Sequence, residues 1–184
     1  GVLDSLGHAA EKLGLTTEAL LQRTARLALG TTVGTNALLQ RRGAKVGLIT
    51  TKGHRDVTHI MRGPRGVPGV ASEKVLHFPE SNKPDPPIVP KTLIAEVSER
   101  VDCKGEIVVE LNEEEAEAGI RRLVAKGVEA IAICFLWSFK RPEHERRVKA
   151  MVEQLAPGVF VCCSVDLVPR WGEYERTAAT VINA

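Results

Sequence analysis

Apolar residues recur at helical spacing from the start of the chain: Leu6, Ala9, Ala10 and Leu13 fall on one face, which predicts a helix ending near Gly14. The segment LTTEALLQRT opens a second helix with Thr16 or Thr17 as its N-cap. RLAL is a short strand candidate closed by Gly30, and TTVGTNALLQRRG predicts a helix from about residue 32 to 42 with Gly43 as its C-cap glycine. AKVGLITT follows as a buried strand bounded by turn residues. Residues 26–51 therefore predict a strand, helix, strand unit, the building block of a parallel sheet.

Residues 62–90 carry most of the prolines and several glycines and predict a long connection. Beyond it, KTLIAEVSERVD and EIVVEL, joined through CKG, predict a hairpin. NEEEAEAGIRRLVAKG is an amphipathic helix with Asn112 as N-cap, a buried stripe of Ala116, Ile120, Leu123 and Val124, and Gly127 as its stop. VEAIAICFLW predicts a fully buried strand. PEHERRVKAMVEQLAPG predicts a helix with Val148, Met151, Val152 and Leu155 inward, VFVCCSV another strand, and a last helix starts from about residue 171. The expected organisation is a part of an N-terminal lobe over 1–61, a Pro/Gly-rich connection over 62–91, and a second α/β part over 92–184 in the order ββαβαβα.

Composition narrows the functions. Hydrophobic residues make up 43% and charged residues 26%, as in ordinary globular chains. Aromatics make up only 4%, which argues against a base- or carbohydrate-stacking surface. A net charge of +2 with no long basic run lacks the footprint of a nucleic-acid binder. None of the four cysteines makes a CxxC or another metal-ligand spacing, so no metal site is expected, and Cys134 and Cys162 read as small strand hydrophobes. No signal peptide pattern and no apolar run of about 18 residues occurs, which predicts a soluble, cytoplasmic protein away from membranes. Both ends of the sequence read as cut from a longer polypeptide.

Two stretches hold candidate chemistry. Thr32, Thr35 and Asn36 sit at i, i+3 and i+4, so a helix starting at Gly30 gathers them at its N-terminus, where free backbone N–H groups attract an anion or a carbonyl oxygen. A Thr N-cap and a satisfied Asn explain the same residues. TTKGHRDV ends a buried strand, at the side where open α/β sheets bind ligands. Its His54, Arg55 and Asp56 offer a proton carrier, an anion clamp and an orienting carboxylate; a solvated or capping His54 is the plainer alternative. Arg62 and Arg65 flank the Gly-rich loop and suit either a phosphate or plain solvation. In WGEYERTAATVINA, Glu173, Arg176, Thr177 and Thr180 share one side, and Tyr174, Ala178, Val181 and Ile182 the other; Glu173 and Arg176 fit a surface bridge as well as a site. PEHERR lacks the second His of a zinc-protease helix, and no Walker A, GxGxxG or GxSxG motif occurs.

Taken together, LGTTVGTNALLQRRGAKVGLITTKGHRDV, ERVDCKGEIVVELNEEE, GVEAIAICFLWSFKRPEHERRVKAMVEQ and EYERTAATVINA resemble the hydantoinase A and 5-oxoprolinase family, which includes N-methylhydantoinases and subunits of the acetone and acetophenone carboxylases. The resemblance implies an α/β fold, part of an actin-like, sugar-kinase-like ATPase of RNase H-like halves, with a mixed sheet and flanking helices. It implies ATP-driven opening of a cyclic amide, with ATP and Mg2+ as cofactors of the full-length protein and none for the piece alone. Part of a ketone carboxylase is the other enzymatic possibility, and a non-catalytic scaffold the third. Expected partners are the remainder of the same chain, a small cyclic amide and a possible second subunit. Carried over by position, the cleft candidates are Gly30, Thr31, Thr32, Thr35, Asn36, Gly53, Arg55, Asp56, Glu173 and Arg176, with the catalytic residues unassigned.

Two departures stand out. The family's Asp-x-Gly-Gly-Thr phosphate loop and its second, adenosine-binding half are missing from these 184 residues, so the piece alone is expected to be inactive. Leu29 also replaces a common His, and His54 an aromatic residue, which bears on the substrate more than on the fold.

Overall fold

The computed structural model describes residues 2–28, 30, 32–61 and 87–184. The chain divides into two compact units, Gly1–Arg41 and Arg42–Ala184.

The first unit holds three helices among its described residues: α1 (Val2–Lys12), α2 (Thr17–Arg23) and α3 (Val33–Gln40). The stop near Gly14 is a Schellman turn: Gly14 has φ 63°, its N–H reaches Glu11 O at 3.0 Å, and Leu15 N–H reaches Ala10 O at 2.9 Å. Thr16 is the N-cap of α2, its hydroxyl accepting from Ala19 N–H at 3.1 Å. Arg26 to Ala28 form no strand, so the expected strand, helix, strand unit is reduced to a helix and a strand. β-propensity in three residues does not outweigh the lack of a neighbour to pair with. The stop of α3 also differs from expectation: Arg41, with φ 52°, takes the left-handed position expected of Gly43.

The second unit is a four-stranded, all-parallel sheet in the order β2-β1-β5-β6, built from β1 (Val46–Thr51), β2 (Ile94–Val97), β5 (Ala130–Cys134) and β6 (Phe160–Cys163). β1 and β5 lie at the centre and are buried almost end to end, which is why both read as continuous apolar runs. In register, Thr50 lies beside Cys134 and Ile49 beside Ala95. The expected hairpin is cut down to its tip. Among the described residues only β3 (Arg100–Val101) and β4 (Ile107–Val109) pair antiparallel, while Ile94–Val97 joins the parallel sheet. The two pairing modes thus occupy separate sheets rather than one mixed sheet among the described residues.

Helix α5 (Glu113–Ala125) packs on β2 and β1, and α6 (Glu143–Leu155) on β6 and β5. Alternation along the strands assigns the faces. Gly47 and Ala95 point to α5: a Cβ on Gly47 would sit 3.1 Å from Leu123, and one on Gly119 3.0 Å from Ala95 Cβ, so the missing side chains let helix and sheet approach. The opposite face carries Cys134, whose sulfur receives the Thr177 hydroxyl at 3.3 Å from α8 (Glu173–Asn183). Short helices α4 (Val57–Ile60) and α7 (Ser164–Leu167) follow β1 and β6. Asn112 caps α5 through Glu115 N–H at 2.9 Å, and Gly127, with φ 70°, ends it as expected. Ala116, Ile120 and Leu123 are buried there, whereas Val124 lies on the exposed side.

Helix α8 buries most of its polar side together with Val181, while Glu173 stays exposed. Its buried residues are Arg176, Thr177, Thr180 and Val181, and Ile182 is exposed. The polar stripe faces inward because the sheet end beneath it is itself polar.

Candidate functional site

The C-terminal ends of the four parallel strands collect the polar interior of the second unit. At the end of β1, the Thr51 hydroxyl donates to Glu99 Oε1 and accepts from Leu136 N–H at 3.0 Å. Glu99 Oε2 meets His144 Nδ1 at 3.0 Å, and both side chains are buried. Hence one hydroxyl ties β1 to the segments following β2 and β5.

The loop after β1 turns at Gly53, whose φ is 85° and whose N–H donates to Glu96 at 2.7 Å. Arg55 lies 3.9 Å from both Glu96 and Asp56, and half of its side chain is exposed. Asp56 is the N-cap residue of α4 but makes no side-chain cap; its carboxylate pairs with Lys91 Nζ at 2.6 Å, and that hydrogen bond holds its pKa below the ordinary carboxylate value. The His54 ring stands between Glu173 Oε1, at 3.6 Å from Nδ1, and Arg100 Nη1, at 3.4 Å from Nε2. Gly53, Arg55 and Asp56 are thereby brought near the start of α8 through His54, whose ring bridges these groups instead of capping a helix.

Glu173 and Arg176 do not form the surface bridge open to them. Arg176 turns inward: Nη1 donates to Phe135 O at 3.2 Å, and Nη2 donates to the Ser138 and Ser164 hydroxyls and lies 3.4 Å from Glu145 Oε1. Glu145 in turn accepts from Phe135 N–H at 2.9 Å, Ser138 at 2.6 Å, Ser164 at 2.7 Å and Val165 N–H at 3.1 Å. Burial pushes its carboxyl upward in pKa, and the two serines and two backbone N–H groups oppose that shift. Glu145, Glu99, His144, Ser138 and Ser164 escaped sequence reasoning. A signal for Glu145 existed: it precedes Val148 and Val152 at i+3 and i+7, so a carboxylate stands in line with an apolar stripe.

Beside this network lies a shallow pocket lined by Leu136, Trp137, Phe139, Trp171, Glu173 and Arg176. It sits where β5 ends and α8 begins. The chain's two tryptophans both line this place.

In the first unit Gly30, Thr32, Thr35 and Asn36 are all exposed. Thr32 is the N-cap residue of α3 without a side-chain cap, and Asn36 Nδ2 donates to its hydroxyl at 3.4 Å. Thr31, Arg62, Arg65 and most of the long connection lie outside the described residues.

Residues 1–156 match the family described as the hydantoinase/oxoprolinase N-terminal region. The whole chain is 38% identical to the acetophenone carboxylase gamma subunit of Aromatoleum aromaticum, of which it covers 26%. The crystal structure of ATP-dependent caprolactamase from Pseudomonas jessenii superposes with a TM-score of 0.78 at 32% identity, over 100% of this chain and 26% of that one. The nucleotide-free structure of acetone carboxylase gives a TM-score of 0.70 at 36% identity, over 81% of this chain and 21% of that one. The chain thus spans about a quarter of the length of the relatives it matches. Its parallel sheet and flanking helices, together with these neighbours, are consistent with an actin-like ATPase type of fold.

Proposed function

This chain belongs to the hydantoinase/oxoprolinase family, as its N-terminal region, and from that premise we propose that it forms part of a longer ATP-dependent enzyme that opens a cyclic amide after phosphoryl activation. The observation that carries the reading is the match to ATP-dependent caprolactamase over the full length of this chain. An amide carbonyl resists water because nitrogen donates into it. Moving the γ-phosphoryl group of ATP onto its oxygen ends that donation and lets water add to the ring carbon; the ring nitrogen then leaves, taking up a proton, and the acyl phosphate so formed hydrolyses to the carboxylate and phosphate.

The described residues do not make a site for the triphosphate and Mg2+. Glu145 and Glu99 are buried and engaged with internal donors, and Asp56 is paired with Lys91. Phosphoryl transfer needs free metal-holding carboxylates and a cradle of backbone N–H groups, so those parts are assigned to the remainder of the longer protein. The loop of Gly53, Arg55 and Asp56 with Glu173 and Arg176 forms one proposed cleft group, and Gly30, Thr31, Thr32, Thr35 and Asn36 a second. A second subunit, in a cytoplasmic location, completes the proposal.

The 38% identity to part of an acetophenone carboxylase supports a second reading, in which bicarbonate or an enol is phosphorylated. The test is ATP hydrolysis by the full-length protein, together with its partner, against hydantoin, N-methylhydantoin, 5-oxoproline, caprolactam, and bicarbonate with a ketone. Stimulation by a ring amide is the expected result. Fixation of labelled bicarbonate would select the carboxylase, and ATP turnover indifferent to every compound would sink both.

A further inference from the structure

His144 holds one partner firmly and misses a second by a short distance. It is the second residue of α6, its ring is buried, and its Nδ1 lies 3.0 Å from Glu99 Oε2. Glu99 accepts from the Thr51 hydroxyl at its other oxygen, and a carboxylate only accepts, so Nδ1 carries the hydrogen of this pair. Nε2 has no hydrogen-bond partner among the described residues. Facing it is Glu110 Oε2 at 3.9 Å, beyond hydrogen-bond range, on a side chain that is 86% exposed.

That gap is what a neutral ring requires. An unprotonated Nε2 is an acceptor set against acceptor oxygens, so the Glu110 carboxylate stays in water. A proton on Nε2 reverses the relation, because a buried charged donor is costly until it is paired. Glu110 needs to move inward by only about 1 Å to pair it. The other charges near the start of α6 have their own partners: Arg147 is bound by Glu113 of α5 at 2.6 and 2.8 Å, Arg141 stands 3.8 Å from Glu143, and Glu145 faces Ser138, Ser164 and Arg176. Among the described residues, the carboxylates within 4.0 Å of the ring nitrogens are those of Glu99 and Glu110.

Glu110 also belongs to an element that is lightly held. It directly follows β4, which pairs with β3 over few residues. The register of Arg100 with Val109 and Val101 with Ile107 leaves Val108 unmatched, and Val108 and Val109 are exposed. A two-stranded ladder of this length is marginal without further support.

We infer that His144 is a proton-operated latch on the β3–β4 hairpin. Neutral, it leaves the hairpin to its own short ladder. Protonated, it draws Glu110 inward and fastens the hairpin to the start of α6. Its other nitrogen holds Glu99, and through Glu99 the Thr51 hydroxyl and Leu136 N–H, so the latch is tied to the ends of β1 and β5. The inference does not depend on which reaction the longer protein performs.

His54 acts on the same hairpin with the opposite sign. Its Nε2 lies 3.4 Å from Arg100 Nη1 at the start of β3, and Glu173 stands 3.6 Å from its Nδ1. A proton on that Nε2 removes the acceptor of Arg100 and sets two cations against each other, which loosens β3.

The test is hydrogen exchange of the full-length protein, read by mass spectrometry on peptides covering residues 100–111 and corrected for the intrinsic rate, between about pH 8 and pH 5, where histidines change charge. Protection of the hairpin is expected to rise about tenfold toward acid, as a hydrogen bond to a charged group supplies, and to rise further in His54→Phe, where the opposing contact is gone. Glu110→Ala should abolish the rise; the side chain is exposed, so the interior stays intact, and a melting curve checks this. His144→Gln, whose amide still donates to Glu99 but takes up no proton, should abolish it too. Protection that fails to rise with acid in both wild type and His54→Phe, or a rise that survives Glu110→Ala, overturns the inference.

Discussion

The Glu145 carboxylate and the Arg176 guanidinium meet at 3.4 Å with 0% and 2% of their side chains exposed. They join α6 to α8 beneath the end of β5. Two charges withdrawn from water are sustained here because serine hydroxyls and backbone groups around them meet the Glu145 oxygens and both Arg176 Nη groups.

Removing one member should therefore be far worse than removing both. Glu145→Leu leaves a buried, uncompensated guanidinium and should cost about 3–5 kcal/mol in urea denaturation. The Glu145→Leu/Arg176→Met pair should lose clearly less than the sum of the single losses. Strict additivity in that cycle would show the two side chains to be energetically independent.

Acid should weaken the second unit through Glu115. The hydrogen bond from Lys52, followed by those from Ser98, lowers its pKa from 4.5 to about 2. A folded-state pKa below the unfolded one gives stability that is complete above the unfolded value and is lost as pH falls toward the folded value. Wild type should therefore lose stability more steeply than Glu115→Gln between pH 4.5 and about 2, as read from denaturation midpoints. Parallel curves would refute the assignment.

Helix caps offer a test of the exposed Thr/Asn corner. Asn112→Ala removes an observed cap bond and should cost about 1 kcal/mol. Thr32 makes no such bond, and Thr32→Ala should change stability by only about 0.5 kcal/mol or less. If Thr32→Ala or Asn36→Ala abolishes turnover in the full-length protein while its melting is unchanged, the corner serves binding; a full capping loss at Thr32 would argue the opposite.

Thiol reactivity should single out Cys103. It is exposed, whereas Cys134, Cys162 and Cys163 are buried, and desolvation pushes the Cys134 thiol up to about 11 and raises the other two. Iodoacetamide at neutral pH followed by peptide mass spectrometry should label Cys103 well ahead of the others. Comparable labelling of Cys134 in the folded protein would contradict its placement in the sheet.

Much of the second unit was legible because local signals and tertiary structure agree there. Asn112, Gly127 and the apolar runs of β1 and β5 mark the elements they form. The failures share a cause. Arg26 to Ala28 have strand propensity but pair with no strand among the described residues, and Ile94–Val97 found its partner in β1 rather than in the adjacent segment, which local pattern cannot report. In the candidate site, the family motif pointed to Glu173 and Arg176, but not to their different fates. Arg176 is buried only because Glu145, 31 residues earlier, and two serines are folded against it. Periodicity alone would have put the apolar side of α8 inward.

The hydroxyl of Thr51 both donates to Glu99 and accepts from Leu136 N–H inside the protein. Only an alcohol on a short side chain does both in that space, so serine is the one replacement that keeps the exchange whole. Valine would match the shape and strand both a carboxylate and an amide. Among variants that drift without losing their fold, position 51 should therefore move between two amino acids, while its strand neighbour Ile49, bound only by volume, is free to sample several.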